Sequence, residues 1–332
     1  MKQLLKICIV FLLWIPFLNA YAQDDSSDSP IGRCVNMGNM LEAPNEGEWG
    51  VRVEDDYMQT IVDAGFDSAR IPIRWSAHAE ETAPYTIDPD FMERIHEVVD
   101  MALEADLNAV INIHHYDEMM TEPDANFERL QGLWAQIAES FADYPETVLF
   151  ELLNEPHNQL VANIWNEMYP QLINIIRETN PERLIIFGGD QWNSAFSLDN
   201  LILPVNTENL MVTFHFYEPF QFTHQGAEWV DGAYAWRGTR FGSEADYALI
   251  NDTLDDVIAW RDAHNIPIFL GEWGSYSTAN FDDRLLYTET VREAVESRGL
   301  GWCYWEFASG FGIYDPNTDE FNDLYTALIP EN

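Results

Sequence analysis

Short apolar runs alternate with longer amphipathic stretches along most of this 332-residue chain. Apolar runs bounded by turn-forming residues are typical of buried parallel strands, whereas apolar residues at intervals of three and four are typical of helices. The runs predict eight strands, at Arg33–Met37, Ser68–Ile73, Asn108–Ile113, Thr147–Leu153, Arg183–Phe187, Leu210–Phe216, Pro267–Gly271 and Gly301–Trp305. The intervening stretches predict helices at Phe91–Ala105, Phe127–Ala142, Val161–Glu178, Tyr247–His264 and Asp282–Ser297.

Strands that alternate with helices indicate an α/β fold with a parallel sheet. Eight such units favour a single closed (β/α)8 TIM barrel over an open doubly wound sheet, and the chain length suits one barrel. The segment from Gly188 to Asn209 lacks a long helical period and is the weakest unit of the pattern. We find no Gly/Ser-rich linker in the sequence and predict one barrel domain over residues 32–330.

The N-terminus has the composition of a secretory signal peptide. Lys2 and Lys6 supply positive charge, residues 7–18 are mostly apolar, and Ala20-Tyr21-Ala22 forms a small-residue cleavage site. We therefore predict that residues 1–22 are a signal peptide and that the protein is secreted to the medium or the periplasm.

An uncleaved membrane anchor is the alternative for this segment. The apolar stretch is short for a membrane span and is interrupted by Pro16, so cleavage is favoured. The following residues, 23–31, are polar and predict a short tether. After cleavage we expect no membrane association.

The chain is strongly acidic, with a net charge of −41. Removal of residues 1–22 would take away both lysines and no acid, leaving −43 with arginine as the only strong base. Such a surface repels nucleic acid and anionic lipid, so neither is an expected partner. Solubility through self-repulsion explains this charge, and so does a salty habitat, which we favour because counterions screen the repulsion. Inactivation by moderate salt would contradict that second hypothesis.

Two cysteines, Cys34 and Cys303, remain after cleavage, and both lie in predicted strands. The strands would be neighbours if the barrel closes from first to last. We expect two reduced core thiols, although a disulfide is compatible with an exported protein. Their spacing does not suggest a zinc site, and the histidines are dispersed along the chain.

Two glutamates mark the candidate chemistry. Glu155 follows the apolar run that begins at Thr147, and Glu272 follows the run that begins at Pro267. A buried strand that ends at a carboxylate places it at the rim of a barrel, where catalytic side chains gather. Two carboxylates facing each other are what hydrolysis of a glycosidic bond requires.

Other polar or aromatic side chains recur at the C-terminal ends of predicted strands. In a barrel these ends form one face, so residues far apart in sequence converge on one cleft. The residues are Asn36, Asn39, Arg70, His114, His115, Asn154, His215, Tyr217, Trp305 and Glu306.

The order and spacing of these motifs resemble glycoside hydrolase family 5, and within it bacterial endoglucanases. The motifs are Asn36-Met37-Gly38-Asn39, Arg70-Ile71-Pro72-Ile73-Arg74-Trp75, Asn112-Ile113-His114-His115-Tyr116, Asn154-Glu155-Pro156, His215-Phe216-Tyr217, Phe222-Thr223-His224-Gln225-Gly226, Gly271-Glu272-Trp273 and Tyr304-Trp305-Glu306-Phe307. The resemblance runs from about Gly32 to Leu328 and is nearest to glucanase/mannanase-type enzymes of thermophilic bacteria.

The resemblance implies a retaining endo-β-1,4-glucanase, a cellulase. Glu155 would be the general acid/base and Glu272 the nucleophile. Arg70 would keep Glu272 anionic, and Tyr217 would donate a hydrogen bond to the same carboxylate. Asn154 would bind the sugar 2-OH.

The remaining site residues would shape the sugar pocket. His115 and His215 would complete its hydrogen-bonding floor, His114 and Asn39 would lie on the glycone side, and Trp305 would stack on a pyranose ring. Arg70 could instead be a structural ion-pair partner, and His114 a core histidine.

Several acids and aromatic residues have other expected roles. Glu151 lies inside a strand and should be a barrel-interior or helix-contact residue rather than a third catalytic acid. Trp134 and Trp165 lie on helix faces and should be core. Either packing or substrate contact would explain the last group, which comprises Glu42, Trp192, His224, Trp229 and Glu306.

The sequence leaves two functional alternatives open. A β-mannanase or a dual glucanase/mannanase differs only in recognition of the C2 hydroxyl. A sugar-binding barrel without turnover is disfavoured because both Glu155 and Glu272 are present. The expected partner is a polysaccharide, β-glucan or β-mannan; we expect a monomer, and the mechanism requires neither cofactor nor metal.

Overall fold

A computed structural model describes residues 29–330 and shows a closed barrel of eight parallel strands. Each strand pairs with the next in sequence, and the first pairs with the last. The strands are β1 Arg33–Asn36, β2 Ser68–Ile71, β3 Asn108–Asn112, β4 Val148–Glu151, β5 Ile185–Gly188, β6 Leu210–His215, β7 Ile268–Trp273 and β8 Trp302–Tyr304. A small antiparallel hairpin follows them, formed by β9 Tyr314–Asp315 and β10 Glu320–Phe321. The predicted TIM barrel is confirmed.

Helices and short turns connect the strands around the outside of the barrel. The α-helical elements are α1 Tyr57–Asp63, α2 Pro89–Glu104, α3 Asp117–Thr121, α4 Pro123–Ser140, α5 Ala162–Thr179, α7 Phe220–Thr223, α8 Glu244–His264, α9 Phe281–Glu296 and α10 Leu324–Leu328, and α6 Asp190–Asn193 is a single turn with a left-handed backbone at Gln191 and Trp192. Short 3-10 turns lie at Trp75–His78, Ala195–Asn200 and Ala233–Trp236.

All eight predicted strands and all five predicted helices are present. Strand bounds agree within two residues, and the largest helix difference is at α4, which begins at Pro123 rather than Phe127. The weak unit between Gly188 and Asn209 contains only α6 and a 3-10 turn, as its lack of a helical period indicated.

Helix α2 illustrates how the sequence forms these elements. The Asp88 carboxylate caps it by accepting the Asp90 N–H at 2.9 Å, and Pro89 occupies the first turn, where no N–H partner is needed. Its buried residues recur at helical spacing and face the barrel; they are Phe91, Ile95, Val98, Val99 and Ala102.

The core has two layers. One lies inside the lower barrel and comprises Ile31, Cys34, Val110, Leu149, Ile186, Met211, Phe269 and Cys303. The larger layer lies between the strands and the helices. Trp134 and Trp165 are fully buried in it, as predicted, and their indole N–H groups donate to the carbonyls of Leu152 and Gly188 at 2.9 Å. These bonds attach α4 and α5 to the strand ends that carry the site.

The predicted signal peptide and most of the predicted tether lie outside the described residues. Between residues 29 and 330, none of the helices combines the length and apolar composition that crossing a membrane requires.

The expectation of two reduced thiols is wrong, because the structure joins Cys34 to Cys303 in a disulfide. The two residues lie directly opposite each other in the pairing of β1 with β8. Both side chains therefore point into the barrel interior, where they are fully buried. The sequence indicated neighbouring strands but not this register, and the register decides whether two sulfurs meet. The disulfide links the first strand of the barrel to the last.

Removing this disulfide should destabilise the protein. In Cys34→Ala/Cys303→Ala the unfolded chain regains the entropy that a cross-link spanning 269 residues removes, and we expect a loss of roughly 2–5 kcal/mol. Urea unfolding of the double variant and of the wild type measures the difference. Two free thiols per chain, found on denaturing unreduced protein without residues 1–22, would contradict the disulfide.

Candidate active site

The residues that the sequence placed at strand ends lie together on one face of the barrel. Direct contacts connect most of them, through Arg70, His215 and the rings of His114 and Trp305. The ten are Asn39, Arg70, His114, His115, Asn154, Glu155, His215, Tyr217, Glu272 and Trp305.

Arg70 is the centre of the polar network. Its guanidinium is fully buried and donates two bonds to Glu151, at 2.6 and 2.8 Å, and one to Glu272 at 2.7 Å. Two further bonds go to the side-chain oxygens of Asn36 at 2.7 Å and Asn154 at 2.8 Å. All five guanidinium N–H groups are thus used. Buried charges in this state are paired and hydrogen-bonded, so Arg70 fixes the positions of four neighbours.

Glu151 lies inside the barrel as an ion-pair partner of Arg70, which confirms the barrel-interior interpretation. Its side chain is fully buried, and the bidentate geometry occupies both carboxylate oxygens. Glu151 therefore has no oxygen directed at the cleft.

Glu155 and Glu272 face each other across the end of the barrel, with His215 between them. His215 Nδ1 lies 2.8 Å from Glu155 Oε1 and 3.6 Å from Glu272 Oε2. A carboxylate oxygen of each glutamate and a ring nitrogen of His215 lie within 4.8 Å of one another. Tyr217 donates its hydroxyl to Glu272 Oε2 at 3.1 Å.

The two carboxylates have different surroundings. The Glu155 side chain is 23% exposed and that of Glu272 is 5% exposed, so Glu155 is the more open to the cleft. Arg70 and Tyr217 donate to Glu272, and neither of these donors bonds to Glu155. Hydrogen bonds from a cation favour the ionised form of a carboxylate.

Burial dominates the titration of the site. It raises the pKa of Glu155 to about 7, with His157 and Arg70 opposing the rise. Burial also raises the pKa of Glu272, and His215 and Arg70 oppose that rise. The lowering by Arg70 that the sequence predicted is present, but burial has the larger effect. Burial lowers the pKa of His215 to about 4, so this imidazole is neutral at pH 7.

A second group of side chains extends the cleft beyond Glu272. The His114 ring is parallel to the Trp305 indole at a centroid distance of 5.6 Å and meets His115 edge-on at 4.7 Å. His115 in turn lies 5.6 Å from Trp49, whose side chain is 40% exposed. These rings form a continuous row leading out of the cleft. Trp49 could not be predicted from the sequence, because it lies in an irregular loop without periodicity.

Asn39 lies on the same side of the cleft. Its backbone has a φ of 65°, and its amide donates to Ser309 Oγ at 2.8 Å. Glu42 supports this conformation by accepting the N–H groups of Asn39 and Met40. Glu42 is fully buried, so it acts on Asn39 rather than reaching the cleft itself.

Glu306, like Glu42, is a buried acid behind the cleft. Glu306 Oε1 accepts the Phe311 N–H at 3.1 Å, and Glu306 follows Trp305 directly. Burial raises the pKa of each of the two acids to about 8, so each is mainly protonated at pH 7. In this structure both carboxyl groups hold loops in place by accepting hydrogen bonds from backbone N–H groups.

Three loop residues left open by the sequence have different environments. Trp192 is 52% exposed and stacks on His157, whereas Trp229 is 60% exposed and meets Tyr276 edge-on. His224 is buried against Phe220 at a ring distance of 4.2 Å, so packing explains it.

The convergence of Glu155, His215 and Glu272 supplies carboxylate and imidazole donors that could hold a metal ion. The sequence predicted that these strand ends converge, but the dispersed histidines did not suggest a metal centre. The buried Arg70 guanidinium, 2.7 Å from Glu272, supplies the positive charge that a cation would otherwise provide. This neighbour disfavours a metal between the two carboxylates.

Comparison with known proteins agrees with this geometry. The model of the cellulase family, glycosyl hydrolase family 5, matches residues 30–310. Endoglucanase H of Acetivibrio thermocellus is 36% identical over 306 residues, which cover 90% of this chain and 33% of that protein. Cellulase/esterase CelE of the same organism is 29% identical over 86% of this chain and 36% of its own length. This chain thus spans about a third of the length of these two curated relatives.

Three solved structures match over nearly their whole length. An endoglucanase is 46% identical, with a TM-score of 0.89, over 92% of this chain and 98% of that one. Cel5A of Thermotoga maritima, solved with cellobiose, is 44% identical with a TM-score of 0.90 over 91% and 98% of the two chains. A structure of the same protein with mannotriose is 43% identical at the same TM-score and coverage. The chain belongs to glycoside hydrolase family 5.

Proposed function

We propose that this chain is a secreted, retaining endo-β-1,4-glucanase that hydrolyses internal bonds of cellulose-type glucans. The observation that carries the proposal is the pair Glu155 and Glu272, whose nearest oxygens lie within 4.8 Å at the open end of the barrel. Retaining glycosidases hold their carboxyl groups about 5–5.5 Å apart, whereas inverting enzymes leave about 6.5–9.5 Å for a water molecule. The short separation supports double displacement.

The reaction proceeds in two balanced steps. The Glu272 carboxylate attacks C1 as the bond from C1 to the glycosidic oxygen breaks, and Glu155 gives its proton to that oxygen. The sugar is then bound covalently to Glu272, and the leaving chain departs as an alcohol. Glu155, now ionised, takes a proton from water, whose oxygen attacks C1 and releases Glu272.

The neighbouring residues support these roles. Arg70 and Tyr217 donate to Glu272 and stabilise its anionic form before attack and after release. Asn154 accepts from Arg70 through its side-chain oxygen, which orients its NH2 group to bind the sugar 2-OH. Neutral His215 contacts Glu155 and, with His115, forms the polar floor.

On the glycone side the sugar would meet an apolar face and polar edges. The partly exposed indole of Trp305 offers a stacking surface for a pyranose ring. The ring of His114 lies parallel to that indole, and Ser309 holds the side chain of Asn39 by a hydrogen bond.

Activity should fall as pH rises through about 7. Glu155 must hold its proton to protonate the leaving oxygen, and burial raises its pKa to about 7. We expect kcat/KM on soluble β-glucan to decrease about tenfold per pH unit above that value, because kcat/KM reports the free enzyme. Wild type should lose this alkaline limb when 2,4-dinitrophenyl β-cellobioside, whose leaving group needs no proton, is the substrate. A limb at the same pH on this substrate would assign it to another group.

A dual glucanase/mannanase is the second candidate. The Thermotoga maritima protein was solved with both cellobiose and mannotriose. Glucose and mannose differ only at C2, so discrimination would depend on the groups that surround this position, Asn154, His114 and Asn39.

Hydrolysis of a panel of polymers tests the proposal. Reducing-sugar release should be seen with barley β-glucan and carboxymethylcellulose and be lost in Glu155→Gln and Glu272→Gln. The rates on glucomannan and pure mannan test the second candidate, since a mannan rate close to the glucan rate would establish dual specificity. No turnover of any polymer by folded wild type would overturn the proposal and favour a sugar-binding barrel.

Secretion rests on the charge and apolar pattern of residues 1–22. N-terminal sequencing of the protein recovered from the medium or periplasm of expressing bacteria should begin at Gln23. Retention of Met1 in membranes would contradict cleavage.

A further inference from the structure

The backbone around Glu155 is unusual. After β4 ends, Glu155 has a φ of 50° and Asn158 a φ of 53°. Residues with a Cβ rarely adopt this left-handed region, and they stay in it only where the surroundings hold them there. The orientation of the Glu155 carboxyl depends on this conformation, so its neighbours contribute to the placement of the acid.

His157 holds the backbone of Glu155 directly. His157 Nδ1 lies 2.6 Å from the Glu155 carbonyl oxygen. A carbonyl oxygen only accepts hydrogen bonds, so Nδ1 carries the proton and donates it. Next to this bond, the backbone N–H of Trp192 donates to the Pro156 carbonyl at 3.1 Å. The carbonyls of Glu155 and Pro156 are therefore held by a side chain and by the backbone of the loop after β5.

The loop after β5 provides the other half of this arrangement. Gln191, Trp192 and Asn193 have φ values of 52°, 59° and 54°, three successive left-handed residues. This turn places the Trp192 indole parallel to the His157 ring, with centroids 4.8 Å apart and planes inclined by 14°. Stacking restricts rotation of the His157 ring and so aims its N–H at the carbonyl.

We propose that His157 is a positioning residue for Glu155. Its ring N–H and its stacking on Trp192 hold the left-handed backbone that directs the Glu155 carboxyl at the leaving oxygen. The inference rests on the proposed function of Glu155 as the general acid. None of the motifs that carried the sequence analysis included His157.

Displacement of the Glu155 carboxyl should slow mainly the protonation of the leaving oxygen. When C1–O cleavage expels an unactivated sugar alcohol, the departing oxygen takes the Glu155 proton, and misplacement by about 1 Å can cost on the order of 100-fold. A 2,4-dinitrophenolate leaves without that proton. Loss of positioning should therefore depend on the leaving group, whereas general damage to the cleft should affect both substrates equally.

Two matched variants separate the two contacts of His157. His157→Phe keeps a ring that can stack on Trp192 but has no donor. His157→Asn keeps an amide N–H close to the place of Nδ1 but cannot stack. His157→Tyr serves in place of His157→Phe if that variant does not fold, and thermal unfolding monitors the fold of each.

The measurement is kcat/KM, which reports the first chemical step, on cellopentaose and on 2,4-dinitrophenyl β-cellobioside. We expect His157→Phe to lose at least about tenfold on cellopentaose and less than about threefold on the dinitrophenyl substrate. His157→Asn keeps the donor but loses the stacking, so on cellopentaose it should lie between wild type and His157→Phe, and on the dinitrophenyl substrate it should stay within about threefold of wild type. Equal losses on both substrates, no loss, or failure of His157→Asn to restore activity would overturn the inference. Wild type inactive on both substrates would instead overturn the proposed function, and this inference with it.

Discussion

Replacing Glu272 with alanine should lower kcat/KM on soluble β-glucan by on the order of 10⁴-fold or more, a loss typical of a covalent nucleophile. Without its carboxylate no glycosyl-enzyme can form, and the positive charge that develops at C1 is left unstabilised. Arg70 and Tyr217, which donate to Glu272, cannot substitute, because neither presents a nucleophilic oxygen at the same place.

Added azide should restore turnover of 2,4-dinitrophenyl β-cellobioside by this variant. A small anion in the space left by the side chain would attack C1 once, and the product would be the α-glycosyl azide. The matched control is Glu155→Ala, in which Glu272 still forms the covalent intermediate and azide attacks second, giving the β-glycosyl azide. NMR of the products distinguishes the two anomers. A β-azide from Glu272→Ala and an α-azide from Glu155→Ala would show that the roles of the two glutamates are reversed.

The sequence was sufficient to predict the fold because strand and helix periods are local properties. Each strand had its own apolar run, and closure followed from the number of units. The pairing of Cys34 with Cys303 could not be predicted with equal force. It depends on the register between the first and last strands, which lie 269 residues apart.

The candidate site likewise contains residues that the sequence predicts and residues that it does not. Glu155 and Glu272 were predictable because each lies at the C-terminal end of a buried strand, Glu155 just after β4 and Glu272 in the last two residues of β7, and the barrel geometry then brings them together. Trp49 and His157 were not, because they lie in irregular loops and matter only through contacts with His115 and Glu155. Such contacts form between segments whose spacing in sequence carries no period.

The donors around Glu272 distinguish it from Glu155, and burial makes the site costly to assemble. Glu151 and Glu272 would both be unpaired charges in a low-dielectric interior without Arg70. Breaking a buried ion pair by removing one partner typically costs about 3–5 kcal/mol. The same side chain therefore supports both the fold and the ionised form of Glu272, the proposed nucleophile.

Arg70→Met should consequently lose about 3–5 kcal/mol of unfolding free energy at pH 7.5 and most of its activity. Arg70 opposes the rise that burial causes in the pKa of Glu272, so without the guanidinium this pKa rises further and the acid binds a proton in the folded variant. The stability deficit relative to wild type should then shrink as pH falls toward 5, because protonation removes the uncompensated charge. Urea unfolding at pH 7.5 and pH 5 measures both values.

Arg183→Met is the matched control. Arg183 is also buried, but its guanidinium donates to backbone carbonyls and to Asn180, and it forms no salt bridge within residues 29–330. Its loss should destabilise the protein equally at both pH values. In Arg70→Met/Glu151→Gln, which also serves if the single variant does not fold, part of the deficit at pH 7.5 should be recovered. A deficit for Arg70→Met that does not change with pH would show that Arg70 acts through packing and hydrogen bonds, and not by compensating the charge of Glu272.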